Sequence, residues 1–343
     1  MVETGWNPPE SWTRLRTIES HAAGEPLRIV TEGWPEIVGK TMLAKRRYAK
    51  KNHDHLRRIL LREPRGHTNM YGAIITEPVT PDGDLGVLFV HNEGFSTMCG
   101  HGVIALVTSL IETGAMPAEG PDPTIRLDTP AGRVTARARV QGGTVRGVAF
   151  ENVPSFVYGR DLSVEIDGIG PLRYDIVFGG AFYAYCSAED LGVELVPRES
   201  RRLVEIGMKV KLAVTQETRI RHPVEEDLGF LYGTIISGKA AAASADLRNV
   251  CVFADGQIDR SPTGTGVSGH VALEYERENL RIGQSLVVES ILGTRFKGRA
   301  LRASTVGEYQ GVIPEIEGSA WTAGRSELWL DPRDPIRDGF ILE

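Results

Sequence analysis

Two short segments of this sequence combine the residue types that acid–base chemistry needs. The first reads MCGHGVIALV at 98–107, and the second reads PTGTGVSGHVAL at 262–273. When the two segments are aligned, each contains a cysteine or threonine, then a glycine, then a second polar residue. Cys99-Gly100-His101 in the first segment matches Thr263-Gly264-Thr265 in the second. Because the segments lie nearly half of the 343-residue chain apart, we expect them to mark two copies of one structural unit.

Each segment is predicted to be a glycine-bearing turn that leads into a helix. The first backbone N–H groups of a helix have no partner within it, and the helix dipole is positive there. Glycine lets a ligand approach such a backbone closely. Two helix starts that face each other across a cleft, at Gly100 and Gly264, therefore form a site for a small carboxylate. His101 and Thr265 can add hydrogen-bond donors to it.

Cys99 lies at the predicted start of the first of these helices. That position lowers the pKa of a thiol from about 8.5 and favours the thiolate. We therefore expect Cys99 to act as a base toward the carbon next to a bound carboxylate. A cysteine without such a setting is most often a small buried apolar residue, and this is our interpretation of Cys186 and Cys251.

The second segment leaves another kind of chemistry open. The sequence GTGVSG at 264–269 matches the glycine fingerprint of dinucleotide-binding loops, and Glu289 follows at the spacing of a ribose-binding acid. That fingerprint must directly follow a strand, whereas the residues DGQIDRSPT separate it here from the preceding strand-like run. A nucleotide-dependent oxidoreductase is therefore a remote alternative, as is an amino-acid-binding protein without catalytic activity.

Composition narrows the class of protein. The chain has 39 Lys and Arg against 45 Asp and Glu, a net charge of −6, which argues against a nucleic-acid partner. No apolar run approaches the roughly 20 residues of a membrane span, and the first residues do not resemble a secretory signal. The three cysteines are too few and too widely spaced for a disulfide framework or a zinc site. We expect a cytoplasmic protein with free thiols, no metal and no membrane partner.

The remaining sequence must position the two segments. Helical spacing covers residues 40–64, and a helix that is apolar on most faces covers residues 100–115, with Gly114 at its end. Two further helices are predicted within 188–214 and at 267–280. Short β-type runs fill most of the rest, except for an irregular arm at 1–16. Many strands around a few helices predict an α+β fold, and the length predicts two domains.

The two segments resemble the paired motifs of the proline racemase family. MCGHG, with Cys99, is similar to the first catalytic motif of that family, and DRSPTGTG at 259–266 is similar to the second. Further similarity is spread along the chain, in HAAGEPLRIV, LREPRGHTNMYGAIIT, DTPAGRV, FGGAFYAY and AWTAG. The resemblance covers residues 20–325, which is nearly the whole chain.

The resemblance implies two similar domains, each a curved sheet or barrel around a central helix, as in proline racemase and diaminopimelate epimerase. The active site would lie in the cleft between them. We assign residues 1–152 and 322–343 to the first domain and residues 153–321 to the second. Members of the family act on proline or hydroxyproline without a metal or cofactor, so neither is expected here. Family habit also implies a homodimer.

The residue at position 263 departs from the pattern of the racemases and epimerases. These enzymes use two cysteines, one on each face of Cα, and Thr263 replaces the second. A threonine hydroxyl is a far weaker acid than a thiol. Cysteine followed by threonine is the pattern of the family's trans-3-hydroxy-L-proline dehydratases. It implies that Cys99 takes the Cα proton while the 3-hydroxyl leaves, giving Δ1-pyrroline-2-carboxylate. A 4-hydroxyproline epimerase or a proline racemase is the closest alternative.

Two further residues are implied to contact the substrate. Asp259, and more weakly His222, would hold or orient the ring ammonium. From the residues alone, an Asp before Arg-Ser-Pro is more typical of an ordinary turn.

Overall fold

The computed structural model describes residues 5–117 and 120–342. Within these ranges the chain forms four α-helices and eighteen strands, and the strands hydrogen-bond into one continuous sheet. The helices are α1 (Met42–Leu61), α2 (Gly100–Glu112), α3 (Ser200–Glu217) and α4 (Gly264–Glu276). The strands are β1 (Thr13–Ala22), β2 (Glu25–Glu32), β3 (Tyr71–Thr76), β4 (Leu85–His91), β5 (Gly94–Phe95), β6 (Thr124–Thr129), β7 (Gly132–Gln141), β8 (Thr144–Glu151), β9 (Ser155–Ile166), β10 (Gly170–Phe178), β11 (Phe182–Ser187), β12 (Leu231–Gly238), β13 (Leu247–Phe253), β14 (Gln257–Ile258), β15 (Ser285–Glu289), β16 (Arg295–Val306), β17 (Tyr309–Gly318) and β18 (Ala320–Leu330).

The order in which the strands pair occurs twice along the chain. In the first half β1 pairs antiparallel with β2, β2 runs parallel to β3 across α1, and β4 runs parallel to β6 across α2. In the second half β10, β11 and β12 repeat this order across α3, and β13 runs parallel to β15 across α4. The fold therefore contains two similar units, as expected. The division at 1–152 with 322–343 and at 153–321 stays a prediction.

Helices α2 and α4 occupy the centres of the two units. All residues of α2 from Gly100 to Ile111 are buried, as are all residues of α4 from Gly264 to Leu273. The sheet curves around them, so that α2 packs against β1, β8 and β18, and α4 packs against β9, β16 and β17. A helix that is apolar on most faces requires such a surrounding because it has no side suited to water. The predicted α+β fold, with a curved sheet around each central helix, is confirmed.

The other predicted elements agree with the structure to different degrees. The helix expected at 40–64 is α1, which begins after Thr41, whose hydroxyl accepts a hydrogen bond from the Ala44 N–H. Gly114 follows the end of α2 in a left-handed conformation with φ of 72°. The irregular arm at 1–16 is wrong at its end, since β1 begins at Thr13 and pairs with β18. None of the four helices, in the part of the chain described, is long and apolar enough to cross a membrane.

Candidate active site

A cavity of about 280 Å³ lies where the N-terminal ends of α2 and α4 meet. A Cβ atom built on Gly100 would lie 2.5 Å from the Cα of Gly264, and one built on Gly264 would lie 2.6 Å from the Cα of Gly100. Side chains do not fit at either position, so the two helix starts can abut only as glycines. The cavity is lined by Tyr71, Met98, Cys99, Gly100, His101, Tyr183, Tyr232, Cys251, Phe253, Asp259, Thr263, Gly264 and Thr265.

The structure brings most of the sequence-predicted site residues together in this lining. They are Cys99, Gly100, His101, Asp259, Thr263, Gly264 and Thr265. His222 is not among the lining residues. Its ring packs against Phe178, with the ring centres 4.8 Å apart, and its Nδ1 accepts the Glu225 N–H at 3.0 Å. A local turn and an aromatic cluster therefore account for His222.

Cys99 is the residue that precedes α2 and caps its start. Its side chain is 5% exposed, and its Sγ accepts the Gly102 N–H at 3.3 Å. The Nδ1 of His101 lies 3.2 Å from the same Sγ. The thiol therefore faces the cavity with one backbone donor and one imidazole nitrogen in contact with it.

The environment of Cys99 corrects our expectation about its pKa. Burial raises the pKa of the thiol well above its ordinary value, and the negative charge of Asp259 raises it further. The hydrogen bond from the Gly102 N–H and the nearby Tyr71 hydroxyl lower the pKa, but by less. The expected low pKa is therefore wrong for this pocket, because the helix start acts on a thiol that has been removed from water.

His101 is held as a neutral imidazole beside this thiol. Burial lowers its pKa, while the charge of Asp259 acts in the opposite direction and is the weaker effect. Its ring meets the ring of Tyr71 edge-on, with the centres 4.8 Å apart. A neutral imidazole can accept a proton or donate one hydrogen bond, depending on its tautomer.

Thr263 occupies the position before α4 that Cys99 occupies before α2. Its backbone has φ of 61°, an uncommon conformation for a β-branched residue. Its hydroxyl donates to Oδ2 of Asp259 at 2.8 Å, while the Ser261 N–H donates to Oδ1 of Asp259 at 2.7 Å. Asp259 thus fixes the turn that leads into α4 and also lines the cavity, and its contact with the substrate stays a prediction.

Two residues from the first half of the chain, Glu25 and Asn69, accept hydrogen bonds from Arg260 in the turn before α4. Glu25 is fully buried, and its Oε2 accepts the Arg260 N–H at 2.8 Å. The guanidinium of Arg260 also donates to the backbone carbonyl of Asn69 at 2.9 Å. Burial raises the pKa of Glu25 well above its ordinary value, and the charge of Asp259 adds to this rise. Through Arg260, Glu25 therefore connects the loop before α4 to the first half of the chain.

Sequence reasoning missed the aromatic part of the lining. Tyr71 and Tyr232 come from opposite halves of the chain, and their hydroxyl oxygens lie 3.3 Å apart. Tyr183 bonds through its hydroxyl to Oγ1 of Thr265 at 2.8 Å. Cys251, interpreted as a core residue, is fully buried but also lines the cavity. The segments NMYGAIIT and FGGAFYAY pointed to Tyr71 and Tyr183 only as parts of the family resemblance.

Chemically, the cavity offers one thiol beside an imidazole, a carboxylate, phenol hydroxyls and the free N–H groups of two helix starts. Such a set suits a small zwitterion whose carboxylate meets the N–H groups. Among residues 5–117 and 120–342, no three His, Cys, Asp or Glu side chains are grouped so that they could hold a metal ion.

Comparison with known proteins identifies the family. The proline racemase family model matches residues 17–341. A trans-3-hydroxy-L-proline dehydratase from Colwellia psychrerythraea is 43% identical over 98% of this chain and 96% of its own length. One from Bacillus thuringiensis is 45% identical over 95% and 97%. The structure of a hydroxyproline epimerase from Agrobacterium vitis, with bound trans-4-hydroxy-L-proline, matches with a TM-score of 0.93 at 28% identity, over 97% of this chain and 96% of that one. This chain therefore belongs to the proline racemase family.

Proposed function

We propose that this protein is a trans-3-hydroxy-L-proline dehydratase, a hydro-lyase that needs no cofactor. The observation that carries the proposal is the pairing of Cys99 with Thr263 at the abutting starts of α2 and α4. Only one member of this pair is a side chain that can serve as a base, so one proton can be removed from Cα but none returned to its other face. The relatives from Colwellia and Bacillus that carry this name support the assignment.

The polar groups that line the cavity suit the proposed substrate. The N–H groups at Gly100, His101, Gly264 and Thr265 bind its carboxylate. The carboxylate of Asp259 pairs with the ring ammonium, whereas His222 lies outside the cavity lining.

The reaction then follows from the position of Cys99. Cys99 takes the Cα proton in its thiolate form, which the raised pKa of the thiol makes the less populated form, and the helix N-termini stabilise the negative charge that develops toward the carboxylate. The electron pair of the Cα–H bond forms the Cα–C3 double bond, the C3–O bond breaks, and the hydroxyl leaves as water. The resulting enamine takes up a proton at C3, loses the proton on its ring nitrogen and becomes Δ1-pyrroline-2-carboxylate.

Two substrates separate this function from epimerisation. We expect water release from trans-3-hydroxy-L-proline, followed by NMR, and no inversion of trans-4-hydroxy-L-proline, followed by chiral chromatography. Cys99→Ser should lose water release by several orders of magnitude because it removes the base. Inversion of trans-4-hydroxy-L-proline without water release from the 3-hydroxy isomer would instead establish an epimerase.

We also propose that the enzyme is a cytoplasmic homodimer. Family habit supports the dimer, and the sparse, free cysteines support a reducing compartment. Light scattering on the purified protein measures the mass of the particle, and a value near the 37.5 kDa of one chain would contradict the dimer.

A further inference from the structure

The stereochemistry of the proposed substrate restricts where its acid can lie. In trans-3-hydroxy-L-proline the 3-hydroxyl is trans to the carboxylate, and the Cα hydrogen also lies on the ring face opposite to the carboxylate. The hydrogen and the hydroxyl that leave therefore share one face of the ring. If Cys99 takes the Cα proton, as the proposed function requires, the group that protonates the hydroxyl must approach from the side of Cys99.

Tyr71 is a hydroxyl donor on that side of the cavity. It begins β3, is 3% exposed, and lines the same cavity as Cys99. Its hydroxyl lies close enough to the Cys99 thiol to lower the pKa of that thiol. Its ring packs edge-on against His101, which contacts Cys99 in turn. Tyr71 thus stands beside the base, where the leaving oxygen must be met.

We propose that Tyr71 is the catalytic acid of the dehydration and that it donates its phenolic proton to the departing 3-hydroxyl on the face where Cys99 removes the Cα proton. This inference rests on the proposed function, and it names the group that the proposed function leaves open.

Tyr232 is placed to support this step. Its hydroxyl lies 3.3 Å from that of Tyr71, and it comes from β12 in the other half of the chain. When Tyr232 donates to the Tyr71 oxygen, the Tyr71 proton is left available for another acceptor. The same hydrogen bond stabilises the negative charge that forms on Tyr71 as its proton leaves.

The protons and electrons of this cycle balance. As the C3–O bond breaks, its electron pair stays with the oxygen, which takes the proton of Tyr71 and leaves as water. Cys99, which now carries the former Cα proton, passes it to the Tyr71 phenolate, because a thiol is ordinarily a stronger acid than a phenol. Cys99 returns to the thiolate and Tyr71 to the phenol. The overall change is the loss of one water from the substrate.

The acid strengths also suit Tyr71. Burial raises the pKa values of both Tyr71 and Tyr232 above the ordinary value for a phenol, so both are protonated at neutral pH. An ordinary phenol, with a pKa of about 10, is a much stronger acid than water, with a pKa of 15.7. The two competing donors are less suited, since His101 is neutral and the Thr263 hydroxyl already donates to Asp259.

Tyr71→Phe tests the proposal through three rates measured on one folded variant. The first is water release from trans-3-hydroxy-L-proline, which we expect to fall by about 10²–10⁴-fold, the usual contribution of a general acid. The second is exchange of the Cα hydrogen of L-proline in deuterated water, which reports on Cys99 alone and should stay within a few-fold of wild type. The third is fluoride release from trans-3-fluoro-L-proline, which should fall far less than water release, because fluoride leaves with little help from an acid.

Two further variants complete the experiment. Tyr185→Phe is the matched control, because Tyr185 is also a buried tyrosine but uses its hydroxyl on the Gly266 carbonyl, outside the cavity lining. It should leave the ratio of exchange to water release unchanged. His101→Asn tests the competing donor. In this variant we expect water release and fluoride release to fall by similar factors, because His101 is not the acid.

Three results would overturn the proposal. The first is wild-type water release by Tyr71→Phe, and the second is a parallel loss of all three rates in the folded variant. The third is a selective sparing of fluoride release by His101→Asn instead of Tyr71→Phe. Failure of the proposed function is seen separately, because the wild-type protein would then exchange the Cα hydrogen of L-proline but release no water from trans-3-hydroxy-L-proline.

Discussion

Replacing Gly100 by alanine tests whether the abutting helix starts set the geometry of the site. The new Cβ would lie 2.5 Å from the Cα and 2.9 Å from the carbonyl carbon of Gly264, both of them backbone atoms. Ordinary contacts begin near 3.4 Å, so the two helix starts must separate by about 1 Å. A misplacement of that size costs about 100-fold in rate, equal to about 2.7 kcal/mol of transition-state stabilisation.

The assay is kcat/KM for water release, measured beside the melting temperature. Gly207→Ala is the matched control, because its Cβ would meet the Cβ of Val252 at 2.6 Å, an equally tight contact between residues outside the cavity lining. We expect both variants to lose about 1–3 kcal/mol of stability and only Gly100→Ala to lose kcat/KM. A folded Gly100→Ala protein with wild-type kcat/KM would show that the contact between the helix starts does not set the geometry of the site.

Three other predictions concern ionisable groups of the site. Because burial raises the pKa of Cys99, its alkylation by iodoacetamide should accelerate with each pH unit through pH 9; a rate that is flat above pH 7 would contradict this. Thr263→Cys should gain slow inversion of trans-4-hydroxy-L-proline, measured by chiral chromatography, because it supplies a second thiol opposite Cys99. A folded variant without inversion would contradict the view that residue 263 decides between dehydration and epimerisation. The raised pKa of Glu25 means that the folded protein keeps a proton that the unfolded chain loses above about pH 4.5, so stability falls as pH rises. Glu25→Gln should remove this loss, and its melting temperature should exceed that of wild type by a margin that grows with pH; a constant margin would show that Glu25 is ionised in the fold.

The sequence predicted the parts of the site that are local. Cys99 and Thr263 stand at helix starts because the glycines that follow them, and the apolar residues after those, specify such a start. The same two segments predicted the duplicated fold. These patterns lie within ten or twelve residues and need no knowledge of what packs against them.

The parts that sequence reasoning missed depend on contacts between distant segments. Tyr71 and Tyr232 meet only because β3 and β12 belong to opposite halves that close on one cavity. The start of β1 is an exception, because the alternation of Arg14 and Arg16 with the buried Leu15 and Thr17 is a strand pattern within the sequence itself. The pKa of Cys99 was assigned from its helix start alone, whereas the decisive effect is burial by residues far away in the sequence.

The most direct test of the account is the identity of the product formed from trans-3-hydroxy-L-proline. We expect the wild-type protein to form Δ1-pyrroline-2-carboxylate, seen by NMR, and folded Cys99→Ser to form none. Recovery of the Cα epimer in place of this product, or equal product formation by Cys99→Ser, would contradict it.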